Sequence, residues 1–321
     1  MRRNLSFRER INFQATNTPR IHNMLMEVGM YVTMVLVILR GSLVVSGGTA
    51  NGTSLGENPG NLITRLEVDA TPGVAGVPAG KLKNFGPRAC LRRVIFDKGF
   101  FENDLSLGSS GISGAAGTFV LNQAYPLWFA LPRAVRPFDT ALQLSNYNDV
   151  RITLTTGSRD TQFSGNDRTF DFSSVVLDIF DEREAPSQTE KHAVLFEEDR
   201  PVNIVAANTE FPVREQLPAD GNYESILWIA ETTNQTLSDS IINEVDLFAG
   251  SEMFAKLPKD HIKQLQRFLV TDQAQSMTGL YLTPVVRGGR LNSSLPGVYA
   301  RLDVSNPGTD RLIVATRRLK A

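Results

Sequence analysis

The sequence predicts an all-β protein made of two similar halves, each folded as a β-sandwich or jelly roll. Turn-forming residues are dense along the chain, with 25 glycines and 16 prolines among 321 residues. Between the turns lie short runs in which apolar and polar residues alternate, and these runs follow a similar order in both halves. Many short strands of period two, separated by glycine- and proline-rich turns, are typical of sandwiches and jelly rolls.

The most apolar stretch, MYVTMVLVILRGSLVVSGG at residues 30–48, is predicted to be a buried strand. A membrane helix is the weaker interpretation, because only twelve uncharged residues separate Glu27 from Arg40 and a bilayer core needs about 17–25. A secretion signal would place its apolar core closer to the N-terminus. The stretch is also rich in aromatic and β-branched residues, which favour strands. We expect it to be the first long strand of the first half, bent or ended near Arg40 and Gly41.

Four further runs place alternate apolar residues on one face, as expected for strands with one buried side. These positions are Leu62, Leu66 and Val68; Val150, Ile152 and Leu154; Val175, Leu177 and Ile179; and Val298, Ala300, Leu302 and Val304.

Few helices are expected. In residues 18–28, Thr18 can act as an N-cap and Pro19 can occupy the first helical position, so this segment is predicted to be helical. A second helix is predicted within residues 257–270. Its apolar residues at helical spacing are Ile262, Leu265 and either Phe268 or Leu269. The segment RPFDTALQLSNY is expected to hold a short helical turn.

The chain is predicted to divide at the polar, aperiodic segment DEREAPSQTEKH. The predicted parts are a basic N-terminal arm with a helix at 1–29, a first sandwich at 30–183, a linker at 184–192 and a second sandwich at 193–321.

An internal repeat is expected from the order of the runs. The opening strands MYVTMVLVIL and RPVNIVAANTEFPV are matched, followed by NLITRLEVD with YESILWIAE and CLRRVIFDKGFF with INEVDLFAGSEMFAKL. The later matches are AYPLWFALP with GLYLTPVV, VRITLTTG with VYARLDVS, and SSVVLDIF with RLIVATRR.

Charge is balanced overall but uneven along the chain. The formal net charge of −1 exerts no general attraction toward nucleic acid. Both ends are basic, however, and the first ten residues contain Arg2, Arg3, Arg8 and Arg10 against one acid, Glu9. Two interpretations are open: solvated tails, or ends that approach an anionic surface such as lipid headgroups or a genome.

No arrangement of residues predicts catalysis. The single cysteine, Cys90, excludes an intrachain disulfide and lies among apolar neighbours, so a buried structural thiol is expected. The three histidines lie far apart in sequence, and no nucleophile elbow or phosphate-binding loop occurs. A structural calcium ion could bind between acidic loops, although the sequence does not locate it. The sequence therefore predicts a binding or structural protein without a cofactor, rather than an enzyme.

Two segments resemble a known family. FVLNQAYPLWFALPRAVRPFDTALQLSNYNDVRITLTTGS is similar to the part of viral double jelly-roll major capsid proteins that ends the first barrel. LVILRGSLVVSGGTANGTSLGENPGNLITRLEV resembles the first hairpin of such barrels. The nearest likeness is to the capsid proteins of tailless icosahedral bacteriophages with an internal membrane, of the tectivirus and corticovirus type.

The resemblance implies two tandem eight-stranded jelly rolls and a trimer whose six barrels form a pseudo-hexagonal tile. It implies a virion protein, made in the host cytoplasm, that contacts neighbouring capsomers and minor capsid proteins but no specific nucleic acid. The N-terminal segment would lie beneath the barrels. Arg2, Arg3, Arg8 and Arg10 would then face lipid headgroups or a neighbouring capsomer.

Two other functions stay open at this point. A tandem β-sandwich that binds or processes carbohydrate would carry an exposed aromatic platform and a carboxylate pair in a cleft. A minor capsid protein, or a spike protein at the vertices, would share the fold but occur in fewer copies per virion.

Overall fold

A computed structural model describes residues 5–15, 19–24, 30–55, 60–98, 112–131, 140–185, 193–213, 217–218, 221–232, 235–269, 277–284, 298–306, 308 and 310–320. The chain divides into two compact units. The first comprises Met1–Val94 and Glu102–Leu195, and the second comprises Ile95–Phe101 and Phe196–Ala321. Much of the predicted linker, residues 186–192, lies outside the described residues.

The first unit is built from long antiparallel strands with short accessory ones. In chain order they are β1 (Leu5–Asn12), β2 (Pro19–Asn23), β3 (Tyr31–Ser46), β4 (Asn51–Ser54), β5 (Ile63–Pro72), β6 (Gly80–Phe85), β7 (Gly117–Trp128), β8 (Leu142–Gln143), β9 (Tyr147–Thr156), β10 (Phe163–Asn166), β11 (Thr169–Asp171) and β12 (Val176–Glu184). The helices α1 (Pro87–Lys98) and α2 (Arg159–Gln162) interrupt them.

Eight of these strands form two antiparallel layers. One layer has the order β1-β12-β3-β7 and the other has the order β6-β5-β9-β2. The strands β8 and β11 pair with the ends of β3, and β4 pairs with β10. The predicted alternation is confirmed in β9, where Val150, Ile152 and Leu154 are buried. Two antiparallel sheets whose inner faces share one core form a jelly roll.

The predicted N-terminal arm is wrong, because its described residues belong to the first jelly roll. β1 pairs with β12, and β2 pairs with β9 with Arg20 opposite Leu154. Pro19–Asn23 is therefore a strand and not the start of a helix. Exposed Ile21 and buried His22 alternate there, as in a strand. The sheet offers β2 a complete hydrogen-bonding partner, and this tertiary pairing overrides a weak local helical preference.

The segment at residues 30–48 is a buried strand, as predicted, but it is the third strand of its jelly roll and not the first. It continues through Gly41, whose φ is +134°, and a Cβ atom there would lie 2.3 Å from the Ser174 carbonyl oxygen. Only glycine fits so close an approach without strain. Within the described residues, no helix combines the length and apolar character needed to span a bilayer.

The second unit contains eight strands and one long helix within its described part. They are β13 (Val194–Ile204), β14 (Asn208–Val213), β15 (Asn222–Glu231), β16 (Ile242–Ala249), β17 (Glu252–Pro258), α3 (Lys259–Leu269), β18 (Leu280–Pro284), β19 (Val298–Val304) and β20 (Asp310–Lys320). The layers are β18-β15-β20-β13 and β14-β19-β16-β17. Their shared core includes Trp228, Ile226, Val245, Leu302 and Val314.

The two units have the same strand order. Counting the eight main strands of each unit from its N-terminus, one sheet has the order 1-8-3-6 and the other 2-7-4-5. The predicted repeat is therefore confirmed for its later matches, in which β7, β9 and β12 correspond to β18, β19 and β20. Its earlier matches are shifted by up to two strands, because the predicted arm at residues 1–29 contains β1 and β2, the first two strands of the first jelly roll.

The helices are only partly as predicted. α3 confirms the second helix, and Ile262 is buried there, whereas Phe268 is 87% exposed and does not belong to the buried face. α1 was not predicted. The predicted turn at RPFDTALQLSNY is a 3₁₀ turn at Leu144–Asn146. Cys90 on α1 is buried, and its thiol donates a hydrogen bond to the Pro126 carbonyl at 3.2 Å.

Candidate functional site

The predicted contact residues Arg8 and Arg10 lie on β1 and bind aspartates of the neighbouring strand. Arg8 Nε donates to Asp181 Oδ1 at 2.6 Å, and Arg10 donates to both carboxylate oxygens of Asp178 at 2.7 and 3.1 Å. Arg2 and Arg3 lie outside the described residues. The two described arginines therefore hold β1 to β12, and this contact leaves their predicted role toward lipid untested.

Asp178 is shared between two cations. Arg40 Nε on β3 donates to Asp178 Oδ2 at 2.5 Å. The aspartate side chain is 2% exposed, whereas those of Arg10 and Arg40 are each 49% exposed. Burial alone would raise the pKa of Asp178, but the hydrogen bonds from both arginines outweigh it and lower the pKa. The two half-exposed guanidinium groups thus share one buried carboxylate on this surface.

The sequence reasoning missed Asp178 and Asp181. The available signal was the interruption of an apolar strand by acidic residues, opposite the arginines of a segment treated as an arm. The pairing could not be read from the sequence because Arg10 and Asp178 are 168 residues apart.

The outer surface of the β1-β12-β3-β7 sheet, called the unit-1 face here, combines these charges with apolar side chains. Residues directly opposite each other on paired strands share a face. One row of opposite residues across β1, β12, β3 and β7 consists of Phe7, Phe180, Leu36 and Pro126. The next row consists of Arg10, Asp178, Ile38 and Ala124, with Arg40 beside it. Phe7 and Phe180 pack edge to face with ring centroids 5.5 Å apart, and Phe7 is 52% exposed.

The outer surface of the β14-β19-β16-β17 sheet, called the unit-2 face, is of the same mixed kind. Its three rows are Tyr299, Phe248 and Met253; Arg301, Asp246 and Lys256; and Asp303 with Glu244. Phe248 and Tyr299 stack at 4.7 Å with an interplanar angle of 3°, and the Arg301 guanidinium lies 5.0 Å from the Phe248 ring centroid. Met253 at the edge is 46% exposed.

Acidic groups outnumber basic ones among the residues that form the unit-2 face. Lys256 Nζ binds Glu244 at 2.7 Å, and Arg301 lies 3.6 Å from Glu210. Burial, with a contribution from Glu244, raises the pKa of Asp246 against the opposing effects of Lys256 and Arg301. The hydrogen bond that Lys256 donates to Glu244 and the nearby charge of Asp246 raise the pKa of Lys256. These carboxylates repel one another and lack a full complement of cations.

A buried ion cluster lies within the second unit. Arg317 on β20 donates to both oxygens of Asp97, at 2.6 and 2.7 Å, and to Glu197 at 2.6 Å. Beside it, Arg318 binds Glu198 at 2.9 Å. Burial disfavours the Arg317 charge, but the two carboxylates outweigh this effect and raise its pKa well above the ordinary value. The cluster joins α1, β13 and β20 inside the unit.

The described residues contain no arrangement suited to metal binding. No group of three or more histidine, cysteine, aspartate or glutamate side chains is placed to hold an ion in the part of the chain that the structure describes. The imidazole Nδ1 of His22 binds Glu9, His261 is exposed, and His192 lies outside the described residues. A structural calcium ion therefore stays an untested prediction.

Comparison with known proteins adds a likeness in fold. No family model matches the sequence, and no curated protein matches it. Among solved structures, the STIV major capsid protein, from Sulfolobus turreted icosahedral virus, aligns with a TM-score of 0.73 at 12% identity, covering 99% of this chain and 97% of that one.

Two other viral structures align over similar lengths. The major capsid protein P2 from bacteriophage PM2 has a TM-score of 0.61 at 10% identity, with 100% of this chain and 98% of that chain covered. A quasi-atomic model of the PBCV-1 virus capsid has a TM-score of 0.56 at 12% identity, with 99% and 94% covered. At such identities the likeness establishes the fold, and it confirms the all-β double jelly roll.

Proposed function

We propose that this chain is a structural major capsid protein of an icosahedral virion and has no enzymatic activity. The observation that carries the proposal is the alignment of nearly the whole chain, through both jelly rolls, with the major capsid proteins of two different viruses. A shared fold alone can serve several functions. Here it is supported by the absence of catalytic motifs from the sequence and by two exposed sheet faces of mixed apolar and charged character.

The physical properties of the chain suit a shell. Paired antiparallel sheets make rigid walls. The edge strand β1 carries Arg8 and Arg10, and charged side chains on an edge strand oppose promiscuous pairing. We further propose that three chains form a pseudo-hexagonal capsomer, because each chain contributes two jelly rolls of the same strand order.

Native mass spectrometry and negative-stain microscopy of the purified protein test this proposal. We expect a stable trimer and images of hexagonal tiles. A protein that stays monomeric at every concentration and never enters particles would contradict it.

Copy number separates a major from a minor capsid protein. Quantitative mass spectrometry of purified virions should find hundreds of copies of a major capsid protein, whereas a vertex or spike protein would occur in a few dozen. The carbohydrate-binding alternative has less support, because nearly the whole chain aligns with viral major capsid proteins. Binding of the purified protein to a glycan array would support the carbohydrate-binding alternative.

We also propose that Arg2 and Arg3 contact an anionic lipid surface, with Arg8 and Arg10 engaged in the sheet. Cosedimentation with vesicles containing anionic lipid should weaken in the Arg2→Gln/Arg3→Gln variant, and more so at low salt. Equal binding by the variant would exclude this contact. Titration with calcium and then EGTA, followed by thermal unfolding, tests the separate prediction of a structural ion.

A further inference from the structure

We propose that Arg20 binds an oxyanion, a phosphate or carboxylate group, at one edge of the first jelly roll. In the described part of the chain, β1 ends one layer of this jelly roll and β2 ends the other. The proposed site lies in the opening between these two edge strands. The inference goes beyond the proposed function, because a single chain can bind a small anion without any assembly.

The side chain of Arg20 lies on the inner face of β2. Arg20 is opposite Leu154 of β9, and two positions further His22 is opposite Ile152. Both of these partners are fully buried, and directly opposite residues share one face of a sheet. Ile21, between the two, is exposed and points outward, as the alternation of a strand requires. Arg20 and His22 therefore line the opening between the layers.

Two buried donors of Arg20 have no acceptor. The Nε and Nη2 atoms of its guanidinium are closed to solvent, and neither has a hydrogen-bond partner within the described ranges. A buried donor without a partner is costly, and more so when it is charged, so nearly all such groups in folded proteins are satisfied. Nε and Nη2 lie side by side on the planar guanidinium and can donate in parallel to two oxygens of one carboxylate or phosphate group.

The acid at this opening is engaged elsewhere. Glu9 lies opposite the buried Ile179, on the inner face of β1. Its carboxylate accepts a hydrogen bond from Nδ1 of His22, which joins the two edge strands. The permanently charged Arg20 thus keeps its two donors free, and an anion from solution is the group that would satisfy them.

Calorimetric titration of the purified protein with inorganic phosphate, and separately with acetate, tests the site. Chloride keeps the ionic strength constant, so that general screening does not differ between the titrations. We expect Arg20→Gln to raise the dissociation constant of the bound oxyanion by about tenfold or more, because the variant loses the charge and the paired donors. The ratio of the phosphate and acetate constants in the wild type identifies the preferred oxyanion.

The matched control is Arg151→Gln. Arg151 lies on the neighbouring strand β9, opposite the exposed Asn23, and is 48% exposed. Its replacement changes the net charge by the same amount on the outer face of the same sheet, so the dissociation constant should stay that of the wild type. Equal weakening by Arg20→Gln and Arg151→Gln would show a general charge effect and overturn the site.

A second variant guards against loss of binding through misfolding. Glu9→Gln keeps an oxygen acceptor for His22 but removes the negative charge at the opening, so the oxyanion should bind more tightly than in the wild type. Tighter binding cannot result from unfolding. An affinity equal to that of the wild type would place the anion away from this opening and overturn the assignment.

Thermal unfolding gives an independent measurement. Because a ligand of the folded state stabilises it, phosphate or acetate should raise the unfolding midpoint of the wild type and leave that of Arg20→Gln unchanged. If neither oxyanion binds the wild type saturably or raises its midpoint, the site is wrong. Arg20 would then be an inward-pointing charge that keeps the edge strand from pairing with other chains. That result would leave the proposed function unaffected.

Discussion

Replacing Arg317 with alanine should destabilise the second unit far more than the loss of an ordinary ion pair. The Arg317 side chain is 4% exposed, and its partners Asp97 and Glu197 are 8% and 6% exposed. Three short hydrogen bonds to charged oxygens join them. Without the guanidinium, two carboxylates stay buried with less compensation, and breaking a buried pair from one side costs about 3–5 kcal/mol.

Urea unfolding monitored by tryptophan fluorescence can measure this loss. The chain has two tryptophans, and a Trp128→Phe background leaves Trp228, in the core of the second unit, as the reporter. The matched control is Arg151→Ala. Arg151 is 48% exposed and binds Asp149 at 3.1 Å on the surface of the first unit, where a pair contributes about 0–1 kcal/mol.

The reasoning also predicts a rescue. The triple variant Arg317→Met/Asp97→Leu/Glu197→Leu removes all three charges together, and it should regain most of the stability, because apolar replacement of a whole buried cluster is often neutral or stabilising. If Arg317→Ala loses no more free energy of unfolding than Arg151→Ala, the cluster is not the buried, desolvated group inferred here.

Three further predictions concern single positions. Gly41→Ala should lower the midpoint of thermal unfolding more than Gly80→Ala does. Both positions have positive φ, which costs a residue with a Cβ about 1–3 kcal/mol of backbone strain. Only at Gly41 would the new Cβ also meet a backbone oxygen. Equal costs would refute the close approach. Asp178→Asn should lower stability at neutral pH, with the difference from wild type vanishing in acid. The folded pKa of Asp178 is lowered, so its stabilisation is present above the ordinary aspartate pKa and is lost as the pH falls through the folded value; a pH-independent difference would contradict this. Asp239 Oδ1 accepts hydrogen bonds from Lys263 on α3, the Gly279 backbone N–H and the Tyr281 hydroxyl, at 2.8, 2.7 and 3.0 Å. Lys263→Met should return the pKa of Asp239 toward its ordinary value in an NMR titration, because the Lys263 hydrogen bond is the largest influence that lowers this pKa against burial. An unchanged pKa would assign the lowering to Gly279 and Tyr281 instead.

The strands of this protein were predictable where their alternation is local. In β19, the residues Val298, Ala300, Leu302 and Val304 face the core, as their spacing predicts. The same reasoning failed at β2, since Pro19 and the apolar residues that follow fit a helix start as well as a strand. Which of the two forms depends on β9, more than 120 residues away in sequence.

The candidate site was less predictable than the fold. Four N-terminal arginines stood out by composition, yet the two that the structure describes bind buried aspartates of β12. The unit-2 face gave no signal at all, because its rows are assembled from β16, β17 and β19, and no one of these strands contains an unusual motif.

The sequence by itself determined the all-β class, the division into two similar halves and the burial of the apolar segment at residues 30–48. These properties follow from patterns of period two and from turn residues, which act over a few positions along the chain. Only the tertiary structure decided that β1 and β2 complete the first jelly roll, that Asp178 neutralises two arginines, and that Arg317 is enclosed by acids. Such pairings depend on which strands become neighbours in a sheet. Hydrogen bonding between strands that are distant in the chain produces no periodic pattern in the sequence of either strand.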